Sequence, residues 1–150
     1  MVDGHRTIGA MRFDLPSPDA TTQPFWDACR DGKLMFQRCG ACGLAFYYPR
    51  PFCKRCWSDD VAWEVASGRG RIYTFSVIHH NDLPPFNERV PYVAAMVELA
   101  EGPRVMTNIV DCDIDALRCD QSVEVAFREI SDDPPCTIAV FRPIDPATVR

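Results

Sequence analysis

Two hydrophobic rhythms divide the chain. Downstream of about residue 70, apolar side chains recur at every second position. Tyr73, Phe75 and Val77 alternate with Ile72, Thr74 and Ser76 between Arg71 and His80, and Val93, Ala95, Val97 and Leu99 alternate with Tyr92, Ala94, Met96 and Glu98. A period of two places one set on each face of a β-strand. Three more strands are expected at Arg104 to Asp111, Val123 to Ile130 and Thr137 to Arg142, separated by Glu101-Gly102-Pro103 and Asp132-Asp133-Pro134-Pro135, whose residues break strands and form turns. Five strands in roughly 75 residues, with a longer connection between the third and fourth, predict a Greek-key barrel of the OB type. A five-stranded SH3-like barrel is the competing topology, and alternation does not separate the two. Either barrel closes its own edges and needs no partner sheet.

Upstream the rhythm is different. A short helix is expected from Thr22 to Arg30, with Thr21 or Thr22 as N-cap, Pro24 in the first turn and Gly32 ending it. Phe25, Trp26, Ala28 and Cys29 form its apolar face. So short a helix is unstable alone, so that face docks on a neighbouring element or on another protein. Short strands follow at Lys33 to Arg38 and Leu44 to Tyr48, and Pro49 and Pro51 then redirect the chain. The reading is a mainly β chain: a flexible N-terminus over 1–20, a helix and cysteine ribbon over 21–66, a barrel over 67–145 and a tail over 146–150. Met1 to Ala10 reads as a vector-derived leader, with Met11 as the natural start.

The chemistry lies in the ribbon. Cys39-Gly-Ala-Cys42 and Cys53-Lys-Arg-Cys56 are two Cys-x-x-Cys turns about ten residues apart, a spacing that converges four thiolates on one metal ion. Soft tetrahedral ligands suit zinc; iron fits the same four sulfurs. Four protein ligands fill the tetrahedron, so the ion is expected to be structural, with no position for substrate or an activated water. Gly40 and Gly43 suit the first turn by letting backbone N–H groups face the sulfurs. In the second, Trp57 follows Cys56 where glycine would be easier. Cys29, Cys112, Cys119 and Cys136 follow no ligand spacing and read as small hydrophobes.

Composition narrows the function. A chain of 150 residues with 47% hydrophobic content supports one good core. Its longest apolar run, Tyr92 to Val97, is too short to span a bilayer, and without an export signal its thiols are expected to stay reduced in the cytoplasm. Between Arg30 and Arg71 there are eight Lys/Arg against four Asp/Glu, whereas residues 72–150 carry six against thirteen. An acidic barrel argues against a single-stranded nucleic-acid-binding module, the alternative function, because phosphate contacts need a basic groove. Asp111-x-Asp113-x-Asp115 begins like a calcium loop, but Ala116 and Ser122 stand where glycine and glutamate are needed. No Gly-x-Ser-x-Gly elbow or His-Glu-x-x-His pair is present. His79 and His80 end the first barrel strand beside a Pro- and Asn-rich loop, Asn81 to Val90. From there they are candidates to bond a ligand; the plainer reading is one packed and one solvated imidazole.

The helix ending in Gly32-Lys33-Leu34, Met35-Phe36-Gln37-Arg38-Cys39, both cysteine turns, Trp63-Glu64-Val65-Ala66-Ser67-Gly68-Arg69-Gly70, Tyr73 to Val77, Pro91-Tyr92-Val93, Val97-Glu98-Leu99, Glu101 to Arg104 and Thr107 to Val110 together carry a resemblance. Over about residues 20–144 the chain resembles the acyl-CoA-associated proteins that join a rubredoxin-like zinc ribbon to an OB fold. It departs from them at Arg118-Cys119-Asp120-Gln121, where relatives tend to place a glycine. The resemblance implies an accessory subunit of a thiolase-like enzyme of the lipid-transfer-protein type, in thiolase complexes or aldolases that remove steroid side chains. The catalytic residues would then be the partner's, and the ligand an acyl-CoA. Cations for its phosphates are available at Arg50, Lys54 and Arg55, with Arg69 and Arg71 nearby, and Pro84, Pro85, Phe86 and Tyr92 are candidates to line an apolar channel.

Overall fold

The computed structural model describes residues 12–144, so the expectations for Met1 to Ala10 and for 146–150 lie outside the described residues. Helix α1 spans Gln23–Arg30. Thr22 stands at its N-cap without a side-chain capping bond; instead its amide and hydroxyl donate to the Asp19 carboxylate at 2.8 and 2.9 Å. Gly32, at φ 71°, ends the helix. The Gly32 amide donates to Cys29 O and the Lys33 amide to Ala28 O, the paired bonds of a Schellman stop.

Strands β1 (Met35–Cys39), β2 (Ala45–Phe46) and β3 (Val61–Val65) form an antiparallel sheet in the order β2-β1-β3. β3 was not anticipated from the sequence, although Val61, Trp63 and Val65 carry the alternation. Five longer strands follow: β4 (Arg69–Ile78), β5 (Tyr92–Leu99), β6 (Arg104–Ile109), β7 (Ser122–Asp132) and β8 (Pro135–Pro143). They close in the order β4-β5-β6-β8-β7, with β6 and β8 parallel at Ile109 and Phe141. This closure of third strand on fifth is the OB arrangement and resolves the choice against the SH3-like alternative.

The alternation expected in β4 is broken by a bulge. Ile72 pairs with Val97 and Thr74 with Met96, leaving Tyr73 as an extra residue. Such an insertion exchanges the two faces of the strand, so Ile72 and Phe75 both turn to the core while Tyr73 is exposed. β5 alternates as expected, with Val93, Ala95, Val97 and Leu99 buried. At the turn before β7, Asp120 adopts φ 63°; aspartate tolerates this left-handed conformation better than most residues.

The helix docks on the barrel. Phe25, Cys29 and Leu34 share one core cluster with Ile72, Val97, Val123 and Phe141, with Tyr47 and Trp63 packed against it. The lead expected to be flexible makes defined contacts from Arg12 onward. Arg12 bonds Asp14 and donates to Ile130 O at 2.7 Å, the Phe13 amide donates to Pro84 O at 3.1 Å, and Arg89 reaches Asp14 at 3.1 Å.

A four-sulfur centre and two grooves

The first cysteine turn leaves the end of β1 and the second lies between β2 and β3. They are built alike. The Gly43 amide donates to Cys39 O at 2.9 Å and the Trp57 amide to Cys53 O at 3.0 Å, and the donor residue is left-handed in both, with φ 73° at Gly43 and 64° at Trp57. The awkwardness expected at Trp57 is therefore real: a bulky side chain sits where only glycine is free of a Cβ clash. Gly40 meets a different neighbour, the exposed end of the Asp60 side chain. Its amide donates to Asp60 O at 2.8 Å, and a Cβ there would overlap the Asp60 carboxylate. Gln37, buried on β1, accepts from the Arg50 amide at 2.8 Å and ties the approach to the second turn.

The sulfurs of Cys39, Cys42, Cys53 and Cys56 all lie within 4.8 Å of one another. Cys39 approaches Cys56, and Cys42 approaches Cys53, at 3.6 Å. This is far beyond a disulfide bond of about 2.05 Å and close to the edge, about 3.8 Å, of a tetrahedron with zinc–sulfur bonds of about 2.3 Å. The thiols also titrate unequally. Backbone donation from Cys56, and then from Arg55, brings Cys53 down to about 6 despite its burial. At Cys56 the Ser58 amide favours the thiolate, but desolvation and the three neighbouring sulfurs outweigh it and push the thiol up to about 12. Four sulfurs this close resist carrying four charges unless a cation lies among them. Geometry and donor chemistry both fit a divalent tetrahedral metal.

Two grooves of about 420 and 430 Å³ flank the barrel. One runs between the ribbon and the β5–β6 hairpin, lined by Tyr47, Tyr48, Arg50, Lys54, Glu98 and Arg104. Glu98 bridges Arg71 at 2.6 Å and Arg104 at 3.0 Å, which holds its carboxyl below the ordinary range, Arg71 acting most strongly. The Arg104 guanidinium lies 3.6 Å over the ring of Tyr73, so the β4 bulge creates the stacking partner for a groove cation. The other groove follows the seam between β6, β7 and β8, lined by Phe86, Arg89, Tyr92, Asn108, Ile138 and Val140. Phe86 and Tyr92 rings are 6.2 Å apart, and the Tyr92 hydroxyl accepts from Asn81 Nδ2 at 3.0 Å.

The residues singled out from the sequence are thus divided. Arg50 and Lys54 share the ribbon groove, and Phe86 and Tyr92 share the seam groove. Arg55, His79 and His80 are exposed and line neither, and His80 is 3.1 Å from an equally exposed Asp82. Arg104 and Tyr48 were missed for the ribbon groove, and Arg89 and Arg128 for the seam. Arg104 had a signal in the turn Glu101-Gly102-Pro103 that aims β6 back at the ribbon; the others depend on packing alone.

Fold and centre together define a zinc ribbon joined to an OB-fold barrel. Two family models match in that order, the ChsH2 rubredoxin-like zinc ribbon domain over residues 26–62 and the ChsH2 C-terminal OB-fold domain over 63–128. A DUF35 domain-containing scaffold protein of Methanothermobacter thermautotrophicus is 39% identical over 102 residues, 67% of this chain and 76% of that one. The chain belongs to this ChsH2-type DUF35 family. The benzoylsuccinyl-CoA thiolase subunit BbsA of Geobacter metallireducens is 32% identical over 67% of this chain and 68% of its own. A probable enoyl-CoA hydratase alpha subunit of Thermomonospora curvata is 39% identical over 81% of this chain, which spans only 37% of that longer protein. Among solved structures, the Ltp2-ChsH2(DUF35) aldolase contains a chain 34% identical, with a TM-score of 0.76, covering 86% of this chain and 98% of that one. No helix among the described residues is long and apolar enough to cross a membrane.

Proposed function

We propose that this chain is a non-catalytic accessory subunit. It binds a thiolase-like enzyme of the lipid-transfer-protein type and helps present an acyl-CoA thioester for carbon–carbon bond cleavage or formation, by thiolysis or retro-aldol reaction. Steroid side chains are one substrate class for that chemistry. The observation that carries this reading is the likeness to nearly the whole of one chain of the Ltp2-ChsH2(DUF35) aldolase.

Cys39, Cys42, Cys53 and Cys56 hold zinc as a cross-link. Four protein sulfurs complete its shell, so the ion polarises no substrate. Arg50 and Lys54, with Arg55 beside them, attract the CoA phosphates. Phe86 and Tyr92 give the seam groove an apolar wall for pantetheine or acyl chain, and His79 and His80 lie at the end of the strand that leads into the same loop. The imidazoles support binding better than catalysis: among the described residues His80 pairs with Asp82 at 3.1 Å, and both side chains are over four-fifths exposed, so they do not form a buried base–nucleophile pair. The complex works in the cytoplasm.

Co-expression with the thiolase-like subunit encoded nearest this gene tests the reading. A stable complex by size-exclusion chromatography is expected, with acyl-CoA turnover by the complex and none by this chain alone. Turnover by the isolated chain, or failure to form any complex, overturns it. A salt-sensitive shift of single-stranded DNA with no response to CoA would instead support the nucleic-acid alternative.

A further inference from the structure

The seam groove lies where the ladder of the barrel is shortest. Between β6 and β8 the register holds one residue pair, Ile109 with Phe141, reinforced by the Val110 amide donating to Phe141 O at 2.8 Å. One wall of the groove is the loop between β4 and β5, which contributes Phe86 and Arg89, and none of residues 79–91 is buried. Core packing therefore does not hold that wall in place. The opposite wall, Arg128, Glu129 and Ile130 of β7, is interrupted by a bulge. Glu129 pairs with Thr137 and Ser131 with Cys136, which leaves Ile130 as the extra residue without a ladder partner.

Arg12, Phe13 and Asp14 join the two walls. The Arg12 guanidinium donates to the carbonyl of the bulged residue, Ile130 O, at 2.7 Å, and to both oxygens of the Asp14 carboxylate at 3.0 and 2.9 Å. From the loop side, the Arg89 guanidinium donates to the same carboxylate at 3.1 Å, and the Phe13 amide donates to Pro84 O at 3.1 Å. Ile130 and Arg89 both line the groove, one on each wall, so the series Ile130–Arg12–Asp14–Arg89 ties wall to wall through charge-assisted bonds. The Asp14 side chain at its centre is 4% exposed, against 30% for Arg12 and 42% for Arg89. Taking a carboxylate out of water is costly unless its partners are fixed around it, and a mere surface tether would not need such burial.

We propose that this bracket sets the width of the seam groove and makes Asp14 a positioning residue for a neutral, largely apolar chain bound there, by fixing through Arg89 the loop that presents Phe86. This rests on the reading that the seam receives the pantetheine or acyl chain of a thioester, and adds what holds the receiving wall. The ligand class follows from the lining. Phe86, Ile109, Val110, Ile138 and Val140 are apolar, and both arginines of the groove, Arg89 and Arg128, are already paired with Asp14 and Asp111. That pairing favours an uncharged chain over a phosphate.

The test is a double-mutant cycle of Arg89→Gln and Asp14→Asn in the full, zinc-loaded chain. Affinity is measured for decanoyl-pantetheine, which carries the chain without the nucleotide, and for adenosine 3′,5′-bisphosphate, which carries phosphates without the chain. Each single change should weaken decanoyl-pantetheine binding about fivefold or more, and the double variant should bind no worse than Asp14→Asn alone, because Arg89 acts through Asp14. Binding of the bisphosphate should not change. Hydrogen-exchange protection of the Asn87, Glu88 and Arg89 amides, which close the loop on Leu83, Pro85 and Phe86, should fall in every variant while β5 stays protected. Losses that multiply, or a loss confined to Arg89→Gln, would place Arg89 against the ligand itself and overturn the positioning role. Wild-type affinity in both single variants overturns it too, as does equal loss for the two probes, which would make the bracket a general support of the fold. If the intact chain binds no decanoyl-pantetheine the inference is overturned, while a stable complex with the thiolase-like subunit would leave the accessory role standing.

Discussion

Removing the metal should unfold the tip of the ribbon and leave the barrel intact. The buried residues divide into two clusters: a large one spanning helix and barrel, and a small one of Cys39, Phe46 and Cys53, with Cys42, Leu44 and Val61 against it. Phe46 is the single large apolar side chain fully buried in the small cluster, and its burial contributes about 2–3 kcal/mol. A structural zinc site contributes about 10–16 kcal/mol at neutral pH. The ion therefore outweighs the apolar support of the tip several-fold, and without it the two turns lose the reason to face each other.

Chelation, or the double change Cys39→Ser with Cys42→Ser, should expose the second turn to trypsin at Lys54 and Arg55. It should also abolish hydrogen-exchange protection of the Gly43 and Trp57 amides, which close the two turns. Amides of β5, paired on both sides by β4 and β6, should stay protected, and the β-sheet circular dichroism should survive. The reasoning is refuted if protein shown by elemental analysis to be metal-free keeps the Trp57 amide protected and resists cleavage at Lys54-Arg55.

Other expectations concern the barrel and its attachments. Gly70→Ala places a Cβ 2.5 Å from the Glu98 carbonyl oxygen and 2.9 Å from a Val97 methyl; forcing β4 from β5 should cost about 1–3 kcal/mol, read as a lower urea midpoint, and an unchanged midpoint would show that the strands yield freely. The Asp14 carboxyl, with a side chain 4% exposed, is held below its usual range by Arg12 first and then Arg89. A depressed carboxyl stabilises the fold above its unfolded value and loses that contribution as pH falls through the folded one. The stability gap between wild type and Asp14→Asn should accordingly be widest near neutrality and shrink below about pH 4; a gap independent of pH would dismiss the ion pairs. Cys29 is fully buried, and burial pushes its thiol up to about 12. Iodoacetamide at mildly alkaline pH should label exposed Cys119 in the folded, metal-loaded protein and reach Cys29 only in denaturant; equal labelling of the two would place Cys29 at the surface.

What the sequence disclosed follows from the range of the interactions involved. The cysteine spacing, the Gly32 stop and the alternation of β5 are local, and each is visible in a window of a few residues. The Tyr73 bulge is not, because it exists only in the pairing of Ile72 and Thr74 with Val97 and Met96, more than twenty residues away. The same holds for OB closure, which depends on one parallel contact between Ile109 and Phe141. β3 is an intermediate case: its alternation was present but short, and only pairing with β1 across the whole cysteine ribbon makes it a strand. The functional residues divide the same way. Four sulfurs at fixed spacing announce their centre, whereas a groove cation such as Arg104 acquires meaning only when the bulge puts Tyr73 beneath it.

The ribbon is consequently two things mechanically. Its root belongs to the barrel: Leu34 and Trp63 enter the common core, and the Ala66 amide donates to Leu34 O at 2.8 Å. Its tip is held by the sulfurs and by the Gln37–Arg50 bond. A rigid root fixes where the tip stands relative to the β5–β6 hairpin, so the ribbon groove keeps its shape only while both attachments hold. Ligand affinity in that groove should then fall on metal removal even though Arg50, Lys54 and Arg104 are all still present, because cations that are not held in register attract an anion without binding it in one place. Loss of CoA affinity on chelation, restored by zinc and absent for ligands confined to the seam groove, distinguishes a positional role of the metal from a general loss of fold; equal loss at both grooves would reject it.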